Sequence, residues 1–161
     1  MSPKPLYDSY WQSFASSPAA KALIHPATSR SGSSHCLEFG LDNKASTRNS
    51  VALLWLGLSV QNSRISAGVT LQNRENAKAH FDLLMDEKDI IEADYGENAS
   101  ELIWDRKDNP EPKIFRCVIF AERLASPIKD LDQWPDYHSW MGDRMTRLQR
   151  AFWDRLTQLP N

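Results

Sequence analysis

Two charged triplets in this sequence have the spacing of a metal-dependent nuclease centre. In that chemistry an Asp-x-Lys follows a strand, two carboxylates hold a divalent metal ion, and the lysine orients the attacking water. Asp105-Arg106-Lys107 has this spacing after an expected strand, whereas Asp86-Glu87-Lys88 lies within an expected helix. Asp94 serves as the other carboxylate only if folding brings it close. Because such triplets arise by chance in a charged chain, the sequence favours a solvated hairpin end over catalysis.

The sequence lacks other catalytic and metal-binding signatures. None of its four histidines has i, i+4 spacing with another metal ligand: His25, His35, His80 and His138. Neither a Gly-x-Ser-x-Gly turn nor a glycine-rich phosphate loop occurs. Cys36 and Cys117 each lie in an apolar strand-like run, which is typical of buried, reduced thiols. We therefore expect no catalytic residue, no metal ion and no cofactor.

The final predicted helix has a basic flank. Its members are Arg144, Arg147, Arg150 and Arg155. Asp143–Arg147 and Arg150–Asp154 are i, i+4 pairs, which favours a salt-bridged surface. Trp153 lies opposite the apolar stripe, and an exposed tryptophan there indicates contact with the N-terminal helices or with a partner. The candidate contacts for a protein partner or for nucleic acid are therefore Arg144, Arg147, Arg155 and Trp153.

Hydrophobic spacing predicts helices at both ends of the chain. One face of the first helix carries Tyr7, Tyr10, Trp11 and Phe14. Ser17-Pro18 is a cap followed by proline, so a second short helix runs to about Ile24. The last helix runs from about Gln133 to Leu159, and Pro135 fits its first turn, where amides have no partner within the helix.

One long helix is predicted between Asn73 and Gly96. Phe81, Leu84 and Ile91 recur in it at helical spacing, so we expect all three to face a sheet. Gly96 ends the run, and a short strand follows it. The helix therefore connects two groups of strands.

Apolar runs separated by short turns predict five strands, at residues 35–41, 51–60, 65–71, 102–106 and 114–121. The element order α-α-β-β-β-α-β-β-α favours the α+β class, with an antiparallel sheet and helices on one face. The run from Val51 to Val60 is apolar on both faces, so it should be central, and its second face should meet the N-terminal helices or another chain. Trp55, in this run, is therefore the candidate interface residue.

Length and charge limit the functions that remain. The chain has 161 residues and a net charge of −2, which indicates one domain and argues against non-specific coating of nucleic acid. We expect a flexible N-terminus at residues 1–6 and a single domain at 7–159. No segment resembles a signal peptide, and the longest apolar run is too short to span a bilayer. We therefore expect a cytoplasmic protein that does not contact membranes.

Several spaced residues also carry a family resemblance. They are Asn76-Ala77-Lys78, Phe81-Asp82-Leu83-Leu84, Lys88, Ile91-Glu92, Tyr95-Gly96, Trp104, Trp134-Pro135-Asp136-Tyr137, Trp140-Met141 and Phe152, with Tyr10-Trp11 and Phe14 in the opening helix. In this order they resemble the domain-of-unknown-function family number 4268 over roughly residues 5 to 157. Members of that family are commonly the C-terminal part of proteins whose N-terminal part resembles a restriction-type nuclease. The resemblance implies a DNA-processing or defence context, and it implies no catalytic residues.

These expectations favour a non-enzymatic binding or regulatory module in a bacterial or phage DNA-defence context. Its partner is a protein, a second copy of the chain or, more weakly, nucleic acid. One alternative is a compact metal-dependent nuclease that uses Asp105 and Lys107. The other is a phage-encoded inhibitor that binds a host enzyme.

Overall fold

Helices packed on a sheet form the two layers of the computed structural model, which describes residues 4–30, 35–41, 50–108, 115–125 and 127–160. The helices are α1 (Lys4–Ala15), α2 (Pro18–Lys21), α3 (Ala77–Asp86), α4 (Lys88–Tyr95) and α5 (Trp134–Thr157). The strands are β1 (Ser29–Arg30), β2 (Cys36–Gly40), β3 (Ala52–Ser59), β4 (Arg64–Leu71), β5 (Ile103–Asp105) and β6 (Cys117–Leu124). The predicted α+β class is confirmed.

The strands pair antiparallel throughout, in the order β1-β2-β3-β4-β6-β5. Among the described residues the sheet has six strands rather than about five, because the segment after α2 adds the two-residue strand β1 beside β2. β3 lies between β2 and β4, away from both edges. This position agrees with the apolar character of both faces of β3.

One face of the sheet forms the core. The strand registers align Leu54 with Val69 and Val69 with Ile119, and none of these three side chains is exposed to solvent. α5 contacts β3 and β4, and α3 contacts β4 and β6. Helices therefore exclude water from this face, and its aliphatic side chains supply much of the hydrophobic stabilisation.

The N-terminal helix packs on α5. It begins at Lys4 rather than at Tyr7, and residues 1–3 of the predicted flexible N-terminus lie outside the described residues. The Tyr10 hydroxyl donates a hydrogen bond to Met141 Sδ over 3.3 Å. Burial of this hydroxyl raises the pKa of Tyr10. α1 therefore belongs to the helical layer, and the alternative in which it covers the second face of β3 is wrong.

The prediction of a single long helix between Asn73 and Gly96 is wrong in one respect: the helix is interrupted at Glu87. Glu87 has φ −107° and ψ 15°, outside helical geometry. α3 packs Phe81 and Leu84 toward the sheet, as predicted, whereas α4 contacts α5. Ile91 belongs to α4, the helix that contacts α5, and its side chain is completely buried. Hydrophobic spacing continues through the break, which explains why the sequence pattern did not reveal it.

The final helix matches its predicted extent closely. α5 has 24 residues, and Pro135 lies in its first turn as expected. Met141, Met145 and Leu148 are completely buried along its apolar stripe. Within the described residues, no helix combines the length and the hydropathy that a membrane crossing requires.

Candidate functional site

The arginines on the basic flank of α5 form hydrogen bonds and ion pairs mainly with other groups of the same chain. Arg147 Nη1 donates to the Tyr95 and Glu97 carbonyl oxygens at 3.1 and 2.8 Å. Arg150 donates to the Asp94 and Tyr95 carbonyl oxygens at 2.6 and 2.8 Å. These carbonyls lie at and just beyond the C-terminal end of α4, where helix carbonyls lack partners and the helix dipole favours cations. The arginines therefore secure the end of α4 to α5.

Carboxylates accept hydrogen bonds from several of the other guanidinium N–H groups on this flank. Arg144 forms two hydrogen bonds with Glu101, at 2.7 and 3.1 Å, and Arg155 lies 3.0 Å from Asp94. The predicted Asp143–Arg147 pair is present at 2.9 Å. The side chains of Arg144, Arg147 and Arg155 keep only 16%, 19% and 23% of their exposed surface. An incoming phosphate would have to displace these internal partners before it could bind the flank.

Tyr95 links this network to the core. Its hydroxyl donates to Glu101 Oε1 over 2.6 Å, and the Arg147 guanidinium lies 5.8 Å from the centre of its ring. Burial raises the pKa of Tyr95, and the hydrogen bond to the Glu101 carboxylate raises it further. The hydroxyl therefore remains a donor at neutral pH and helps to orient Glu101 toward Arg144.

Trp153 is not the exposed residue that its helical position indicated. It is 8% exposed, and the His25 ring stacks on it with centroids 3.6 Å apart and planes 3° apart. Gln149 holds His25 in place by donating to its carbonyl oxygen over 2.7 Å and accepting from its amide over 3.3 Å. The expectation of exposure was wrong because the segment after α2 folds back over α5. The contact is with the segment that follows α2, whereas the expected alternatives were the N-terminal helices themselves or a partner.

Trp55 lies on the face of the sheet opposite the helices. Its indole Nε1 donates to Thr70 Oγ1 over 2.9 Å, and its ring lies 6.5 Å from that of Phe120. The ring extends over two glycines of the sheet. A Cβ atom added to Gly68 would lie 2.6 Å from Trp55 Cζ2, and one added to Gly57 would lie 3.3 Å from Cζ3. Glycine is needed at position 68, because the Trp55 ring occupies the space that a side chain there would take.

A row of residues aligned across all six strands surrounds Trp55. The registers place Ser29, Glu38, Trp55, Gly68, Phe120 and Ile103 side by side, one from each strand. Trp55 and Phe120 are partly exposed, and Ile103 is 43% exposed. We call the surface around this row, on the side away from the helices, the uncovered face. A cleft of about 330 Å³ beside it is lined by Cys36, Glu38, Leu53, Trp55, Thr70, Gln72, Arg116 and Val118.

Charges of both signs border the uncovered face. Arg64 and Glu122 lie 3.7 Å apart there, and Glu38 and Arg116 line the cleft. The mixture of signs suits contact with a protein surface better than contact with a polyanion. Phe120, Gly57 and Gly68 were missed by the sequence-based prediction, although two glycines within apolar strand runs are a signal of close approach by another group.

The residues of the nuclease hypothesis do not form a metal centre. Lys107 Nζ lies 3.1 Å from Asp105 Oδ2, and its amide donates to Asp105 Oδ1 over 2.9 Å. That backbone hydrogen bond is the main reason that the pKa of Asp105 is lowered. Asp94 is instead paired with Arg155. In the part of the chain that the structure describes, no group of three or more His, Cys, Asp or Glu residues could hold a metal ion.

The two cysteines lie on opposite faces of the sheet. Cys36 is aligned with Gly57 on the uncovered face, whereas Cys117 is aligned with Leu71 on the helical side. They form no disulfide. Burial raises the pKa of the Cys36 thiol to about 11, and burial is also the main cause of the raised pKa of Cys117. Both therefore remain protonated and poorly nucleophilic at neutral pH.

Comparison with known proteins identifies the family of the chain. A family model described as "Domain of unknown function (DUF4268)" matches residues 6–156. No curated protein and no solved structure matches the chain significantly.

Proposed function

Because the chain belongs to the DUF4268 family, whose description assigns no activity, we propose from its surface that it is a non-enzymatic binding module. Its binding surface is the uncovered face with Trp55 at the centre, and its occupant is a second copy of the same chain. The observation that carries the proposal is that Trp55, Phe120 and Ile103 lie in one row and are at least partly exposed, on the side of the sheet that none of the described helices covers. A contiguous exposed apolar patch usually marks an interface.

The area of the uncovered face supports a dimer. Strand spacings of about 4.8 Å and rises of about 3.3 Å per residue give the sheet a footprint on the order of 500 Å². Two such faces therefore provide on the order of 1,000 Å², which is the lower limit for a specific interface. The Trp55 indole donates a hydrogen bond to Thr70 and packs over Gly57 and Gly68, so its orientation is fixed before binding. It therefore loses little conformational entropy on binding.

The charges on the face support a copy of the chain as the occupant. The uncovered face carries Arg64 and Arg116 together with Glu38 and Glu122. A partner with the same mixture of charges provides a complement for each sign in a symmetric pair, whereas a polyanion would be repelled by both glutamates. The setting that we propose is bacterial or phage DNA defence in the cytoplasm. The family resemblance to nuclease-associated domains supports it.

Light scattering coupled to size exclusion tests the proposal. The expected mass is near twice 18.4 kDa and should fall toward the monomer mass on dilution. Ile103 lies at one end of the row that contains Trp55, so Ile103→Glu should abolish the dimer because it places a charge in the interface. Ile90→Glu is the matched control, since Ile90 is 57% exposed on α4, in the helical layer. A monomer at all concentrations, or equal effects of the two substitutions, would refute self-association through this face.

A further inference from the structure

A cleft in the helical layer lies apart from the uncovered face. It has a volume of about 680 Å³ and lies between α1, α2 and the first turns of α5. Its lining consists of Ser13, Ser17, Pro18, Ala19, Leu131, Trp134, Pro135, His138 and Ser139. This volume falls within the range of small-molecule sites, which are mostly apolar with a few polar groups. Among the lining residues that the structure describes, none carries a formal charge while His138 is neutral.

The floor of the cleft is rigid. Trp134 and His138 are each 5% exposed, and Trp134 Nε1 donates to the Ile128 carbonyl oxygen over 2.7 Å. The His138 ring meets the Tyr10 and Phe14 rings edge to face, with centroids 5.0 and 5.7 Å away. The walls are held together where Ala19 of α2 packs against Gly142 of α5, since a Cβ on Gly142 would lie 2.5 Å from that of Ala19. The cleft is therefore a preformed feature of the packing.

The polar groups of the cleft are few and neutral. His138 Nε2 is buried and has no hydrogen-bond partner. Burial lowers the pKa of His138, so its ring is neutral at physiological pH. The Ser17 hydroxyl is already used, because it donates to the Phe14 carbonyl oxygen and accepts from the Ala20 amide. The hydroxyls of Ser13 and Ser139 are the more accessible polar groups, and each offers both a donor and an acceptor.

We infer that this cleft binds a neutral, flat, largely apolar small molecule that carries one hydrogen-bonding group. The ring of such a ligand packs against Trp134 and the two prolines. Its polar group pairs with the hydroxyl of Ser13 or Ser139, each of which is both a donor and an acceptor. A charged ligand is disfavoured because no lining side chain would compensate its lost hydration.

Three ligands that share one ring system test the inference: indole, indole-3-acetate and tryptamine. They are neutral, anionic and cationic, respectively, at neutral pH. Titration followed by NMR should show indole binding with a Kd on the order of 0.1–1 mM, as is reasonable for nine heavy atoms. The His138 ring resonances should shift with the same Kd. Both charged relatives should bind at least about fivefold more weakly. The inference would be overturned if indole did not bind up to its solubility limit, if the His138 resonances did not shift, or if a charged relative bound more tightly than indole.

A substitution at the rim locates the site without disturbing the core. Ser139 is exposed, so Ser139→Trp should fill the cleft, leave the fold intact and weaken indole binding at least about tenfold. Ser100→Trp is the matched control, because Ser100 is equally an exposed serine but lies in the turn before β5. Equal indole affinity in the two variants would place the ligand elsewhere. Neither variant alters the uncovered face, so the dimer and the ligand site are tested independently.

Discussion

Gly68 is the position at which one methyl group should disturb the uncovered face most. Its hypothetical Cβ would lie 2.6 Å from Trp55 Cζ2, 2.8 Å from Phe120 Cβ and 2.9 Å from the Ile119 carbonyl oxygen. The last atom belongs to the backbone of a neighbouring strand and cannot move without straining the sheet. Gly68→Ala should therefore displace the Trp55 ring and weaken its hydrogen bond to Thr70.

The expected destabilisation follows from two opposing effects. Overpacking a well-packed site costs about 1–3 kcal/mol. Replacing glycine by alanine at a compatible backbone position restricts the unfolded chain and returns about 0.4–1 kcal/mol. Phe120 Cβ and the Ile119 carbonyl oxygen cannot rotate away, so the overpacking cost should lie in the upper half of its range, about 2–3 kcal/mol. After a return of up to about 1 kcal/mol, the net loss in the free energy of unfolding should be about 1–2 kcal/mol. For a domain of this length the melting temperature should fall by roughly 2–8 °C.

Urea unfolding followed by far-UV circular dichroism measures this loss without depending on tryptophan fluorescence. Gly57→Ala is the control, because its closest obstacle is the Ser66 hydroxyl at 2.5 Å, which can rotate away. A double-mutant cycle with Trp55→Val then separates the contact with the ring from the contact with the backbone. The cost of Gly68→Ala should fall by about 1 kcal/mol in the Trp55→Val background. An unchanged cost in that background, or a loss under about 0.5 kcal/mol in the native sequence, would refute the described packing of Trp55 on Gly68.

Other substitutions test the helical layer and the nuclease alternative. Leu84 is only 2% exposed, so Leu84→Ala should lower the free energy of unfolding by about 2–5 kcal/mol in urea titrations. Leu83 is 47% exposed, so the control Leu83→Ala should change this free energy by less than about 0.5 kcal/mol. Burial alone would raise the pKa of Asp143, but its hydrogen bonds with Arg147 and Arg144 lower the pKa overall. Asp143 therefore stabilises the fold at pH values above the ordinary carboxyl pKa, and this stabilisation is lost as the pH falls through the lowered pKa of the folded state. Asp143→Asn should therefore give a flatter acid limb in a plot of melting temperature against pH. The protein should not cleave plasmid, single-stranded DNA or RNA with Mn²⁺, and nicking that disappears in both Asp105→Ala and Lys107→Ala would contradict this expectation.

Local periodicity was sufficient to predict most elements and the class of the fold. Spacing of three and four residues identifies the buried face of α1, and alternation within apolar runs identifies the strands, because both patterns arise from backbone geometry within a few residues. The same spacing placed Leu84 and Phe81 toward the sheet. A resemblance of ordered residues identified the family, because spaced aromatic residues and helix signatures are properties of the chain itself.

Only the tertiary structure decided what the candidate residues contact. The position of Arg147 on its helix does not show whether its guanidinium contacts solvent or the end of α4. The contact depends on where α4 lies, and the Tyr95 carbonyl that Arg147 binds is 52 residues away in the chain. Trp153 lies opposite the apolar stripe of α5, yet it is buried because the distant His25 stacks on it. The alignment of Trp55 with Gly68 and Phe120 depends on strand register, and the cleft floored by His138 depends on how α1 and α2 dock on α5. These features arise from long-range packing, whose free energy is a sum over contacts that no local pattern specifies.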